Sequence, residues 1–297
     1  MMAALASEEG LSFRTGPFVC RVRSRLERLA SALHLLYADF PREPADAFAD
    51  FNTEVRLRGG LRRWFRPQAR FLFEARDPFL PLPADQAFPL LEWGLNWCVS
   101  SHCHGHLLLH SAVVERHGGA LLMPAPPGSG KSTLTAALTL HGWRLLSDEL
   151  GLVQRSDARL TPLARPVSLK NHSLPAIRAF APEAVLGEPV HDTTKGTVAH
   201  LKPPAASVAR MQEPAPARWI VLPRYRAGAT ARIEAVDPAE AFMELAGNSF
   251  NYDLLGQEGF RLLGRLVDDC RCYRFEFDRL DQAVERLERT LDADAQD

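Results

Sequence analysis

No apolar run in this sequence approaches the ~18 residues that a membrane-crossing helix needs. Its first residues, MMAALASEEG, lack the basic stretch and apolar core of a secretory leader. The expected location is therefore the cytoplasm, with no membrane partner. An excess of one charge is also missing, since 35 Lys plus Arg stand against 36 Asp plus Glu. Such a surface has no overall field to gather a polyanion, which removes nucleic acid from the expected partners. Cysteine is scarce: Cys20, Cys98, Cys103, Cys270 and Cys272 form an odd set without the C-x-x-C spacing of zinc or redox sites. Cys270 and Cys272 lie two apart, a poor disulfide geometry on an extended strand. No fixed internal period recurs, which argues against a repeat architecture.

What is present fits a globular protein of 297 residues, 46% apolar and 24% charged, enough for one large domain or two unequal ones. Phe18, Cys20 and Val22 alternate as in a strand, and Leu26, Leu29, Ala30, Leu33 and Leu36 follow at helical spacing. Phe51, Val55 and Leu57, then Phe71 and Phe73, predict two more strands, with the basic stretch 56–70 read as a solvated hairpin edge. Asp85 is placed to cap a helix whose apolar positions run from 87 to 98. Leu107 to Glu115 reads as a buried strand, His117-Gly118-Gly119 as a tight turn, and Ala120 to Met123 as the partner strand. A helix over Ser132 to Leu140 is closed by Gly142, and Trp143 to Leu146 starts a short strand ending at Asp148.

From 162 to 216 the chain carries nine of its 22 prolines and little periodicity, which predicts a long functional loop or lid. Strands at Trp219 to Leu222, around Ile233 and at 272–277 then alternate with helices near 238–246, 257–269 and from Leu280. The mixed order predicts an α/β protein, with a smaller N-terminal α+β module over 1–105 and a larger domain over 106–297.

The run APPGSGKST at 125–133 carries the chemistry. Anion binding needs backbone N–H groups turned inward by a glycine-rich turn, and a helix whose positive end faces the same anion. Pro127, Gly128, Ser129 and Gly130 supply the turn, Lys131 reaches the β and γ phosphates, Ser132 is placed to ligate Mg2+, and Thr133 completes the expected ATP-binding set. Ala125 stands where the complete G-x-x-x-x-G-K-[ST] motif has its first glycine. The preceding apolar strand ALLM and the following helix supply the context that the motif requires. These residues predict binding of ATP with Mg2+.

Phosphoryl transfer also needs a carboxylate to hold the metal or take the acceptor's proton, and Asp148 and Glu149 close the strand WRLL after the loop helix. A short gap from lysine to acid, with a histidine-containing strand just before the loop, resembles HPr kinase/phosphorylase and the HprK-related kinases. The stretch that carries the resemblance is 109–153, LHSAVVERHGGALLMPAPPGSGKSTLTAALTLHGWRLLSDELGLV. It implies a P-loop HPr-kinase-like domain, ATP and Mg2+ at Lys131 and Ser132, Asp148 as the catalytic acid, and His110 near the reacting phosphate. It also implies transfer to a serine hydroxyl of a protein or peptide, and homo-oligomers. The family's Asp-Asp is Asp148-Glu149 here, and the glycine-rich signature tied to phosphorolysis is not evident after Asp148. The expectation is a serine kinase without phosphorylase activity, whose acceptor need not be HPr.

Lys170 and Lys195 lie in the proline-rich segment, where closure would bring them to phosphates or acceptor. His102, His104, His106 and His110 with Cys103 read as a helix-to-strand connection better than as a metal site. Two rivals share these residues: a small-molecule kinase, differing only in an acceptor pocket built from 160–217, and a protein that holds nucleotide as a switch without chemistry.

Overall fold

The computed structural model describes residues 2–294. Its central sheet is built around a row of strands buried on both faces. Gly119–Pro124 is buried along its whole length, and it runs parallel to Ala217–Tyr225, which runs parallel to Arg271–Phe277. Parallel neighbours need crossovers that cover the sheet; Gly119–Pro124 and the middle of Ala217–Tyr225 read as apolar runs, whereas Arg271–Phe277 alternates. Lys131–Leu140 and Leu280–Asp294 pack on one face through Leu134, Leu138, Val284 and Leu287. Pro238–Gly247 and Gln257–Asp268 cover the other through Leu245, Leu263 and Leu266. Arg232–Ala235 closes one edge, antiparallel to Arg271–Phe277.

On the other side, His106–Arg116 forms a hairpin with Gly119–Pro124 through a turn with His117 at φ 51° and Gly118 at φ 78°. Those paired positive angles match the twist of a two-residue hairpin. The outer flank of His106–Arg116 pairs with two strands in succession. Arg144–Ser147 lies antiparallel to its second half and Leu150–Gln154 to its first, with a register shift before Ser147. The segment 144–154 therefore follows one neighbour throughout, broken only at Asp148 and Glu149.

The N-terminal residues form a five-stranded sheet in the order Leu11–Thr15, Phe18–Arg23, Phe51–Leu57, Gln68–Phe73, Leu82–Pro83. The helix Ala87–His102 lies on it so closely that a Cβ at Gly94 would come within 2.2 Å of the Phe71 ring. The core of this part is continuous with the central sheet, since Phe13, Leu33, Leu91 and Leu95 share one cluster with Leu108, Leu150, Leu152 and Leu163. Among the described residues no helix is long and apolar enough to cross a membrane.

Two expectations change. Asp85 lies in a 3-10 turn, Ala84–Gln86, and the helix after it has Gln86 at its N-cap without a side-chain cap. The segment 162–216 is largely structured: Val167–Lys170, Gly196–Leu201 and Val190–Thr193 form a three-stranded antiparallel sheet, joined by the helix Ser173–Phe180. Its strands run to four or six residues between prolines, too short for a period to register.

Candidate active site

The phosphate loop leaves the sheet at Pro124 and enters Lys131–Leu140, whose N-cap is Gly130. Gly128 and Gly130 hold φ values of 89° and 86°, in the left-handed region that side chains resist. At Gly130 space forbids one as well, because a Cβ would lie 2.9 Å from both Phe277 Cζ and Tyr225 Cβ. The loop is thus clamped on the C-terminal ends of two parallel strands, and the Tyr225 N–H donates to the Ser129 carbonyl at 2.9 Å. No side chain caps the helix, so its first N–H groups stay available to an anion. Ala125 is 2% exposed and is not among the residues of positive φ, which explains why this position accepts a methyl group. At the far end the Trp143 N–H reaches the Leu138 carbonyl and the Gly142 N–H the Thr139 carbonyl, a Schellman stop that turns the chain into Arg144–Ser147.

That return brings the acids back. His110 pairs with Leu150 and Val113 with Ser147, so Asp148 and Glu149 stand across from the intervening Ser111 and Ala112, while Ser111 pairs on its other side with Pro124. The acids and the start of the phosphate loop therefore share one row across three strands, where each strand-to-strand step is about 4.8 Å.

Asp148 is buried, and its Oδ2 accepts the Ser168 N–H at 3.2 Å. Glu149 is only partly covered, with Oε2 3.3 Å from His110 Nε2 and Oε1 4.0 Å from Lys170 Nζ. Burial and the neighbouring Glu149 charge raise the Asp148 pKa, against the pull of Lys131 and Ser132. For Glu149, desolvation acts upward but is outweighed by the His110 hydrogen bond and the Lys170 and Lys131 charges, which hold it low. Burial pushes the Lys131 ammonium down despite both carboxylates. Two adjacent carboxylates are thus driven apart, the pattern that separates a proton acceptor from a permanently ionised partner.

The other expected residues divide. Lys170 joins Glu149, whereas Lys195 stands apart from the acids, its Nζ 5.1 Å from the Trp93 ring centre. Pro127 is on the exposed outer side of the loop, and the Thr133 hydroxyl is spent on Ser173 at 2.6 Å, away from the phosphates. In the histidine run, His102 Nδ1 contacts the Cys98 carbonyl, and the two His106 ring nitrogens meet Cys103 and Thr161.

Sequence reasoning missed the far wall of the site. A cavity of ≈ 20 Å³ beside Asp148 is lined by Trp93, Asn96, Arg165, Ser168 and His200 among others. Trp93 and Asn96 belong to the helix Ala87–His102, where the pattern signals only an amphipathic helix. Arg165 is surrounded in sequence by prolines and offers no motif.

No family model matches the chain, and no curated protein matches it in sequence. Among solved structures it is similar to the Hpr(Ser) kinase/phosphatase from Coxiella burnetii, at 12% identity and a TM-score of 0.28, over 62% of this chain and 96% of that one.

Proposed function

We propose that this chain is an ATP- and Mg2+-dependent kinase that transfers the γ-phosphoryl group to a hydroxyl and does not run the reverse phosphorolysis. One observation carries the reading. Ser129 Oγ, Lys131 Nζ and Asp148 Oδ1 are buried side-chain atoms without a hydrogen-bond partner, and all three belong to the phosphate loop and the acid opposite it. An unmet buried polar atom costs about 1–3 kcal/mol, more when charged, so a fold retains several in one place where a ligand supplies the partners.

A triphosphate fits these donors, with its β and γ oxygens at Lys131 Nζ and the N–H groups around Gly128 and Gly130. The Ser132 hydroxyl, Asp148 and Glu149 are hard oxygen donors suited to Mg2+, which when bound neutralises phosphate charge. Asp148, raised toward neutrality, is the proton acceptor. The acceptor oxygen forms a bond to the γ-phosphorus while the bond to the β–γ bridging oxygen breaks. The bonding pair leaves with ADP and the hydroxyl proton passes to Asp148. Glu149 stays ionised beside it, oriented by His110.

A serine of a protein or peptide is the acceptor implied by the family resemblance, and homo-oligomers are part of the same expectation. The nucleotide switch without chemistry uses Asp148 only as a Mg2+ donor and leaves its raised pKa without a task. The test is turnover of γ-labelled ATP with Mg2+ in a cell extract by wild type, Lys131→Ala and Asp148→Asn. Label on an acceptor with wild type and on none with either variant supports the kinase. ATP bound by every form that retains Lys131, with no label transferred by wild type, favours the switch.

A further inference from the structure

We propose that the hairpin apex 58–67 is a peripheral membrane anchor, which sets Leu61, Trp64 and Phe65 into the surface of an anionic lipid bilayer while the arginines of its flanks meet the headgroup phosphates. The anchor belongs to the N-terminal sheet and acts with or without phosphoryl transfer at Asp148.

Phe51–Leu57 and Gln68–Phe73 are antiparallel neighbours, and the Arg58 N–H on the Gln68 carbonyl is their last rung. About two to five residues suffice to join such a pair, yet the chain runs from 58 to 67 before it returns. The expectation of a solvated hairpin edge does not account for this apex. Phe51–Leu57 is already paired on its other side with Phe18–Arg23, so charge placed beyond its end protects no open edge. Leu61–Trp64 forms a 3-10 turn, in which residues three apart lie over one another, so Leu61 and Trp64 share a side with Phe65 next to them. These three side chains are 83%, 71% and 86% exposed. Large apolar groups gathered on one exposed apex mark a surface that meets an apolar partner.

The charge around them selects an anionic one. Between Glu54 and Glu74 the chain has six arginines and neither acid nor lysine. Arg56 is paired with Glu54 and Arg70 with Asp77, but among the described residues the exposed Arg58 and Arg66 form no ion pair. The near-zero balance of the whole chain conceals this local excess, and the expectation of no membrane partner, drawn from that balance and from the lack of a spanning helix, does not reach it. Shape selects lipid over an acidic polypeptide. A peptide seeks a groove, and the depression at the foot of the hairpin is lined by Glu27 and Asp85 as well as by Arg25, Arg28 and Arg66, which leaves it little field. The apolar groups stand instead beyond the last rung, where a bilayer takes aromatic rings at headgroup level and draws arginines to its phosphates.

The experiment sediments the full chain with vesicles of phosphatidylcholine alone or of equimolar phosphatidylcholine and phosphatidylglycerol, at low and at physiological salt, and records tryptophan emission. Wild type is expected to bind the anionic vesicles at least about tenfold more tightly than the neutral ones, less so as salt rises, with a blue shift as Trp64 leaves water. Trp64→Phe is expected to bind about as well without that shift. The double changes Leu61→Ser with Phe65→Ser, and Arg58→Glu with Arg66→Glu, are each expected to bind at least about tenfold more weakly. All of these side chains are exposed, and an unchanged melting temperature shows that each variant folds. No binding to anionic vesicles, equal binding to neutral ones, or binding without a blue shift would overturn the proposal. Capture of soluble polyglutamate by wild type, lost in Arg58→Glu with Arg66→Glu while vesicles are ignored, would overturn it in favour of an acidic polypeptide.

Discussion

Glu149 Oε2 lies 3.3 Å from His110 Nε2, so the strand that enters the phosphate-loop hairpin also grips the second acid. In the proposed kinase His110 is thereby a positioning residue for the carboxylate that would be offered to Mg2+. Its removal leaves the desolvation of Glu149 less opposed, and the Glu149 pKa rises. His110→Ala is expected to weaken Mg2+ dependence by about 10- to 100-fold, the usual effect of losing a partner behind a metal ligand. The affinity for Mg2+ is expected to fall off at higher pH on acidification than in wild type, because Glu149 then protonates sooner, while the acid limb of turnover set by Asp148 stays in place. An Mg2+ affinity whose pH dependence matches wild type would show that His110 acts elsewhere.

Asp148 predicts the opposite sign for stability. Its folded pKa is raised above the ordinary aspartate value, mainly by burial. The folded state therefore favours the protonated form: that contribution is complete below the unfolded pKa and is lost as pH rises through the folded one. Asn preserves the neutral shape, so Asp148→Asn without nucleotide or Mg2+ is expected to melt higher than wild type near neutrality. The gain vanishes below the aspartate range, where both forms are neutral. Turnover is expected to drop about 10²- to 10⁴-fold. Melting curves across pH check this, and a lower neutral Tm would mean that the Lys131 charge outweighs the burial of Asp148.

Much of this site was legible because its chemistry is local. Gly128, Gly130 and Lys131 declare a loop through backbone requirements that residue type alone expresses, and the apolar run 120–123 and the Schellman glycine at 142 mark what precedes and follows it. The acids were visible as types, but not their separation into a raised Asp148 and a lowered Glu149. That depends on Ser168, Lys170 and His110 arriving from three other segments. The wall of Trp93, Asn96 and Arg165 was illegible because a helix position facing a cavity has the same spacing as one facing a core. The sheet at 167–201 was hidden for a different reason: its strands are only four to six residues long and are separated by prolines, too short for a period to register.

Lys131 connects stability to ligand. Burial disfavours its charge, which makes the ammonium a cost to the nucleotide-free fold at neutral pH. Lys131→Met is expected to raise the melting temperature without ligand and to abolish the rise produced by MgATP. In wild type that rise corresponds to about 2.7 kcal/mol at a ligand concentration of a hundred Kd. Thermal melts with and without MgATP separate the two effects. A MgATP-induced rise that persists in Lys131→Met would place the triphosphate elsewhere.

The departure from the full phosphate-loop motif gives the last prediction. Ala125 is 2% exposed, lies outside the left-handed region, and continues the buried strand Gly119–Pro124. A glycine there gains no conformation that the loop uses, yet it loses a buried methyl and frees the unfolded backbone. Ala125→Gly is expected to cost about 0.5–1 kcal/mol without tightening ATP binding. Gly130→Ala reverses the logic, because φ is 86° and the new Cβ meets Phe277 and Tyr225 at 2.9 Å. That variant is expected to lose ATP affinity by more than tenfold as the loop moves off its strand ends. Titration of both variants with a fluorescent ATP analogue decides the point, and tighter binding by Ala125→Gly would mean that the loop is held short of its working shape at the first motif position.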